Sequence, residues 1–360
     1  MAMRPPKKNA FLKITLLFLP VIVIIAGIVI PSFAAQSGPA PKAGSFSGAK
    51  TVGGEKVGLF PVRVSGKWGY IDKTGQIVIK PRFNGASDFQ EGLAAVRIGV
   101  KCGFIDKTGT FVIKPQFNGA DDFYEGFASV EIGGKEGYID KTGKFVIKPQ
   151  FDGAGGFYEG LALVKIGGKY GFIDKTGTFV INPQFDYAWS FYEGGLAPVH
   201  IGGKYGFIDK TGKIVINPQF DSALYFNEGL AAVKIGGKWG YTDKTGTFVI
   251  KPQFNVAAYF NEGLAAVEIG GKWGYIDKTG TFAIKPQFGG VGDFYEGLAA
   301  VSIVDKWGYI EKTGNIVIKP QFDYAENFHE GLAKVEIGLG AREKIGYIDK
   351  TGRYVWEPTK

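Results

Sequence analysis

A period of 34 residues runs from about residue 58 to the end of the chain and decides which folds are open to it. A glycine followed by an aromatic marks each period: Gly69-Tyr70, Gly103-Phe104, Gly137-Tyr138, Gly171-Phe172, Gly206-Phe207, Gly240-Tyr241, Gly274-Tyr275, Gly308-Tyr309 and Gly346-Tyr347. The spacing is 34 except for a step of 35, across an extra glycine at Gly194-Gly195, and a final step of 38, where G-L-G-A-R-E lengthens a loop. Units this short cannot each bury a core, but stacked neighbours bury one jointly.

The unit that starts at Gly229 reads G-L-A-A-V-K-I-G-G-K-W-G-Y-T-D-K-T-G-T-F-V-I-K-P-Q-F-N-V-A-A-Y-F-N-E. Its apolar residues alternate with period 2, and Gly or Pro interrupts every longer stretch, so strands are expected and helices are not. L-A-A-V-K-I is a first strand. Gly236-Gly237 is a tight hairpin, since both residues can take positive φ. K-W-G-Y-T-D is a second strand, closed by the D-K-T-G turn. T-F-V-I-K is a third, which Pro252 is expected to end because it lacks an N–H for the ladder. Q-F-N-V-A-A-Y-F-N-E is read as a longer return loop. Aromatics recur at three positions, Tyr241, Phe254 and Phe260 in this unit, and are assigned to the core with their counterparts.

The array begins at Gly58-Leu59 and ends after Val355-Trp356-Glu357-Pro358, so it holds whole units. Many propellers close by sharing one blade between the termini. Whole units therefore point to an all-β, open, twisted array of stacked hairpins, solenoid-like, with a closed propeller-like ring as the alternative.

K-W-G-Y-I-D-K-T-G, then V-I-K-P, then F-x-E-G-L-A resembles the bacterial WG repeat, also called the KWG repeat, over roughly 58–358 in nine units. The match departs at the Trp slot, filled by Trp68, Cys102, Glu136, Tyr170, Tyr205, Trp239, Trp273, Trp307 and Ile345. The resemblance implies a β-repeat interaction surface and brings no catalytic residues with it.

Residues 1–13 are basic and lack acids, Ile14 to Ile30 carry no charge, and Ser32 and Ala34 suit a cleavage site before Ala35. Residues 1–34 read as a signal peptide or, uncleaved, a membrane anchor, the only part of the chain expected to meet a membrane. Either way the array is expected outside the cytoplasm. Residues 35–57, rich in Gly, Ser, Ala and Pro, read as a linker, and 58–360 as the array. The net charge of +8 falls to about +4 without Arg4, Lys7, Lys8 and Lys13, which speaks against nucleic acid as a partner.

Chemistry is sparse. His200 and His329 fall in different units at different positions, so neither a metal pair nor a catalytic triad is expected. Cys102 sits in the Trp slot, which favours packing over reactivity. Asp72, Asp106 and their counterparts in the D-K-T-G turn are expected to bond backbone N–H groups two residues on. Eight equivalent Glu before Gly look structural, because carboxylate catalysis needs two acids in different environments. No enzyme, cofactor or metal is expected.

Ligands are best sought at positions that vary on a fixed frame. The residue before the recurrent Glu is Gln90, Tyr124, Tyr158, Tyr192, Asn227, Asn261, Tyr295 or His329. Tyr124, Tyr158, Tyr192 and Tyr295, with Glu125, Glu159, Glu193 and Glu296, are assigned as a ligand-binding ladder suited to sugar rings. Tyr70, Phe104, Tyr138, Phe172, Phe207, Tyr241, Tyr275, Tyr309 and Tyr347 are assigned to the repeat core. The outward residues of the first strand, Arg97, Glu131, Lys165, His200, Lys234, Glu268, Ser302 and Glu336, are read as a solubility and register device. The functional expectation is an extracytoplasmic binding module for a cell-envelope glycan or protein. A structural spacer is the alternative, and a glycoside-acting enzyme is the third reading.

Overall fold

The computed structural model describes residues 58–338 and 344–359. The export-segment and linker readings fall on residues outside these. Among the described residues no helix is long and apolar enough to cross a membrane. The strands form nine antiparallel sheets set in a ring, a nine-bladed β-propeller. The all-β reading holds and the open array does not: the ring is closed.

The reason lies in the segment read as a return loop. It carries a further strand that pairs with the next unit, as Ser222 and Ala223 do with Lys234 and Val233. In blade seven the four strands are Val256–Asn261, Leu264–Ile269, Lys272–Ile276 and Phe282–Phe288, in spatial order. The chain thus leaves each blade by its last strand and enters the next by its first. Blade one shows three described strands, Phe60–Val64, Lys67–Ile71 and Ile77–Phe83.

Pro252 does not end its strand either. Phe248–Phe254 runs through it. Trp239 pairs with Phe254 and Tyr241 with Ile250, so two residues on one strand face four on the other. The proline sits in this bulge, where no ladder N–H is needed. The bulge also explains the invariant glycine of the repeat. A Cβ on Gly240 would lie 2.5 Å from the Ile250 carbonyl oxygen and 2.7 Å from Pro252 N. Only a bare α-carbon lets the bulged strand pass this close.

Tyr241, Phe254 and Phe260 are all fully buried, and Tyr241 and Phe254 pack across the blade boundary with Phe260, Val267 and Ile276 of the next blade. The Trp slot is only partly inside: Trp273 and Tyr170 are buried, whereas Cys102 and Glu136 are half-buried.

Three further kinds of contact recur between successive blades. The tyrosine after the repeat glycine donates to the following blade, as Tyr241 does to Ala258 O at 2.7 Å and Tyr275 to Gly292 O at 2.6 Å. The Glu before Gly accepts a backbone N–H of the next blade and pairs with its D-K-T-G lysine. Glu262 takes Gly297 N at 3.1 Å and Lys312 Nζ at 3.1 Å. That Glu is held at φ 50°, a left-handed conformation costing roughly 1–2 kcal/mol in a non-Gly residue. The backbone bond and ion pair offset that cost. The turn glycine rests on the preceding blade, as Gly280 does on Ile250.

The same wiring joins blade nine to blade one. Phe60, Val62 and Ile71 share a buried cluster with Leu332, Ile345 and Tyr347. Tyr347 donates to Pro61 O at 2.9 Å, Thr359 Oγ1 donates to Arg63 O at 2.8 Å, and Lys73 pairs with Glu330 at 3.5 Å. Closure thus needs no shared blade.

Gly274→Ala should destabilise the ring by about 3 kcal/mol, because its Cβ would meet backbone 2.5 Å away. Gly270→Ala faces open space at φ 59° and should cost only about 1 kcal/mol. Denaturant titrations of the two variants check the ranking. Equal costs would show that the close approach is not what requires glycine.

Candidate functional site in the central channel

Because the strands alternate in direction, each sheet has two ends, and the ring has two faces. One face carries the D-K-T-G and Glu-Gly turns, and the other carries the Gly-Gly hairpins. The last strand of each blade is the outer one, since it exposes Val112, Val180 and Val249. The first strand is the inner one. The inner segments of successive blades converge on the ring's axis, where their aromatic rings meet, as those of Tyr124 and Tyr158 do.

Around that axis the tyrosines form an arc. Ring centroids lie 5.1 Å apart for Tyr124 and Tyr158, 4.9 Å for Tyr158 and Tyr192, 4.4 Å for Tyr192 and Tyr225, and 5.2 Å for Tyr225 and Tyr259. Tyr295 continues the arc beside Tyr259. All six are half-buried. Each of blades three to eight contributes one tyrosine, placed either just after or just before the buried Phe of its inner segment. Burial raises the hydroxyl pKa of each one above its usual value, so the phenols stay neutral donors at any physiological pH.

The four tyrosines singled out from the sequence are thus brought together. Tyr225 and Tyr259 were missed, because only the residue after the Phe was compared between units. Their signal lay at the residue before it, which is Asp88, Asp122, Gly156, Ser190, Tyr225, Tyr259, Asp293 or Asn327. The glutamates assigned to the ladder are placed differently. Glu125 accepts Gly160 N and pairs with Lys175, and Glu159 pairs with Lys210. Glu296 accepts Gly331 N and pairs with Lys350. These carboxylates bind blade to blade. At Glu193 the inserted glycine alters the turn, and this Glu lacks the positive φ of the others.

Blades nine and two bring charged and polar groups in place of a tyrosine, and blade three brings them beside Tyr124. Ser87 Oγ donates to Asp122 Oδ1 at 2.6 Å across the blade boundary, and Ser129 Oγ donates to Asp121 Oδ2 at 2.7 Å. Lys334 pairs with Glu326 and, at 3.7 Å, with Glu336. Loss of solvation, reinforced by Asp88 and Asp121 and opposed by the Ser87 hydrogen bond, pushes Asp122 up to about 6. Asp293, buried beneath the arc, is also raised to about 6 by desolvation, against a bond from Tyr259. Among the described residues no group of three or more His, Cys, Asp and Glu is placed to hold a metal ion. His200 lies on the second strand of blade five beside Tyr205, 3.8 Å from Asp186, far along the chain from His329 in the channel. Cys102 has its thiol pushed up by burial, opposite to what a reactive thiolate needs. The turn aspartates accept backbone N–H groups, as Asp243 Oδ1 does from Thr245 and Thr247.

A carboxyl raised in the folded state stabilises the fold below its unfolded pKa of 3.8, and that stability is lost as pH rises through about 6. Asp293→Asn removes the buried charge and keeps an acceptor for Tyr259. Its melting temperature should exceed that of the parent at pH 7.5, with the difference vanishing near pH 4. A difference independent of pH would show that Asp293 does not titrate in this window.

The WG containing repeat family matches residues 68–102, 103–135, 137–170, 170–205, 205–239, 239–273, 273–307 and 307–338. These eight windows follow the 34-residue period, and the last ends at Gly338, short of the ninth slot at Ile345. No curated protein matches in sequence. Among solved structures, a eukaryotic initiation factor is similar in fold at 12% identity, with a TM-score of 0.63, over 85% of this chain and 96% of that one. The dihydro-heme d1 dehydrogenase NirN in complex with DHE is 13% identical, with a TM-score of 0.47, over 89% and 76% of the two chains. Kluyveromyces lactis Hsv2p is 9% identical, with a TM-score of 0.38, over 53% and 71%. At such identities the first likeness bears on fold alone, and the other two carry no argument.

Proposed function

The chain belongs to the WG containing repeat family, and we propose that it is an extracytoplasmic binding module whose ligand, a cell-envelope glycan, docks on the tyrosine arc at the channel mouth. The observation that carries this reading is the arc itself: six neutral phenols side by side around one axis, bordered by carboxylates and amides. Aromatic faces suit the apolar faces of sugar rings, and the polar border suits their hydroxyls. The basic flank, apolar run and small-residue site of residues 1–34 support a location outside the cytoplasm. Binding is favoured over turnover because the recurrent glutamates are held between blades by lysines and backbone N–H groups, and the two histidines stand apart.

The test is retention of the chain from residue 43 onward on isolated cell walls. The parent should be retained. A variant with Tyr124, Tyr158, Tyr192 and Tyr295 changed to Ala should be retained at least about tenfold less, on the scale of lost aromatic stacking. A melt of each protein confirms that the ring is intact. Equal retention of both would move the binding surface off the arc. Retention of neither would favour a protein ligand or a spacer role.

A further inference from the structure

In six blades the lysine that opens the third strand reaches an Asp or Asn that heads the following blade, at 2.5–2.8 Å. Lys135 and Asp152 are one such pair, and Lys306 and Asp323 another. The second oxygen of the same carboxylate takes a backbone N–H from the hairpin tip above it. Gly167 N lies 2.9 Å from Asp152 Oδ2, and Gly338 N lies 2.7 Å from Asp323 Oδ2. At the four junctions that carry Asp the repeat therefore builds a socket for one carboxylate and fills it with its own side chain, and at the two that carry Asn an amide oxygen meets the lysine instead.

Between blades seven and eight the socket is built but its side chain is missing. The sequence Q-F-G-G at 287–290 puts Gly289 where the Asp or Asn stands elsewhere. The ammonium of Lys272, the corresponding lysine, has no hydrogen-bond or ion-pair partner among the described residues, and only its backbone is paired, with Ile269. A cleft of about 420 Å³ opens there, lined by Lys272, Gln287, Gly289, Ser302, Val304 and Asp305. The backbone does not require glycine at 289: a Cβ would meet only Ser302 O at 3.6 Å and Ser302 Oγ at 3.8 Å, with φ outside the left-handed region.

The repeat departs from its own rule a second time on the same cleft. The hairpin tip, Gly-Gly in most blades, is Val304-Asp305, held at φ 49° and 62°. A β-branched residue in this conformation is strained. Val304 is also 90% exposed, so no packing compensates. Val304 occupies the position of Gly167, whose N–H clasps the carboxylate in blade four.

We propose that this open socket binds the carboxylate of an acidic sugar residue, a uronate. One carboxylate oxygen meets Lys272 Nζ and the other meets Val304 N–H, as the Asp oxygens do at the filled junctions. The Ser302 hydroxyl and Gln287 amide offer neutral partners for ring hydroxyls, and Val304 gives the lip an apolar contact. A single lysine with Asp305 on the lip suits one negative charge and disfavours a dianion. The site lies on the hairpin face, opposite the face of the Glu-Gly turns, and does not depend on the glycan reading of the arc.

The experiment titrates the full chain with glucuronate by calorimetry, beside glucose, N-acetyl-aspartate amide and inorganic phosphate. Saturable binding of glucuronate but not glucose is expected. Lys272→Met should weaken it about tenfold, the scale of one charge-assisted bond. Gly289→Asp should abolish it by refilling the socket, with a melting temperature no lower than the parent's. If Gly289→Asp does not fold, Lys272→Met carries the test. Absence of glucuronate binding, or binding unaltered in Lys272→Met, overturns the proposal. Phosphate bound as tightly as glucuronate overturns the carboxylate assignment. N-acetyl-aspartate amide bound in place of glucuronate overturns the sugar and makes the site one for a protein carboxylate.

Discussion

The ring rests on one close approach, between the bare α-carbon of the repeat glycine and the bulged strand that passes over it. In blades one to eight a Cβ at that glycine would lie 2.4–2.6 Å from a carbonyl oxygen. With the approach allowed, the outer strand gains extra residues, carries its proline without a missing ladder bond and turns its Phe into the core. Blade nine is looser here, with the corresponding distance at 3.0 Å. Its outer strand, Tyr354–Thr359, is the one that meets blade one.

That geometry also settles the outer rim. Each outer strand shows an unpaired edge to solvent, and such edges invite pairing with other chains. A proline within the bulge of every outer strand interrupts that edge. Lysines alternate with valines on the exposed face, as in Val112 and Lys114. The array is thereby guarded at its circumference, while its polar variety is gathered at the axis and on the two faces.

Much of this was legible in the residues. The period, the strand class, the two-glycine hairpin and the left-handed glycine of the D-K-T-G turn follow from local chemistry, and each is found. Gly236, Gly237 and Gly246 all have positive φ. What was illegible is non-local. The inner strand is only two residues long in most blades, as at Ser222–Ala223, and pairs with residues ten or more positions later, so no alternation announces it. The open array was read from the whole units, which leave no blade to be shared between the ends, whereas the ring closes without sharing one. The glutamates misled for a related reason. Their partners are a backbone N–H 35 residues on and a lysine about 50 on, and neither is visible as a motif.

The contacts between blades all point one way round the ring. The tyrosines after the repeat glycine donate forward, the recurrent glutamates other than Glu193 reach forward, and each turn glycine leans back on the blade before. The junction between the last and first blades carries the same set: Tyr347 to Pro61, Glu330 to Lys73, and Gly75 against Val355. Mechanically, then, the ring has no beginning. The points where the chain enters and leaves the ring are not where the structure is held. Moved to another connector between blades, they would leave every forward contact intact, so a circularly permuted chain has the same ring to fold into.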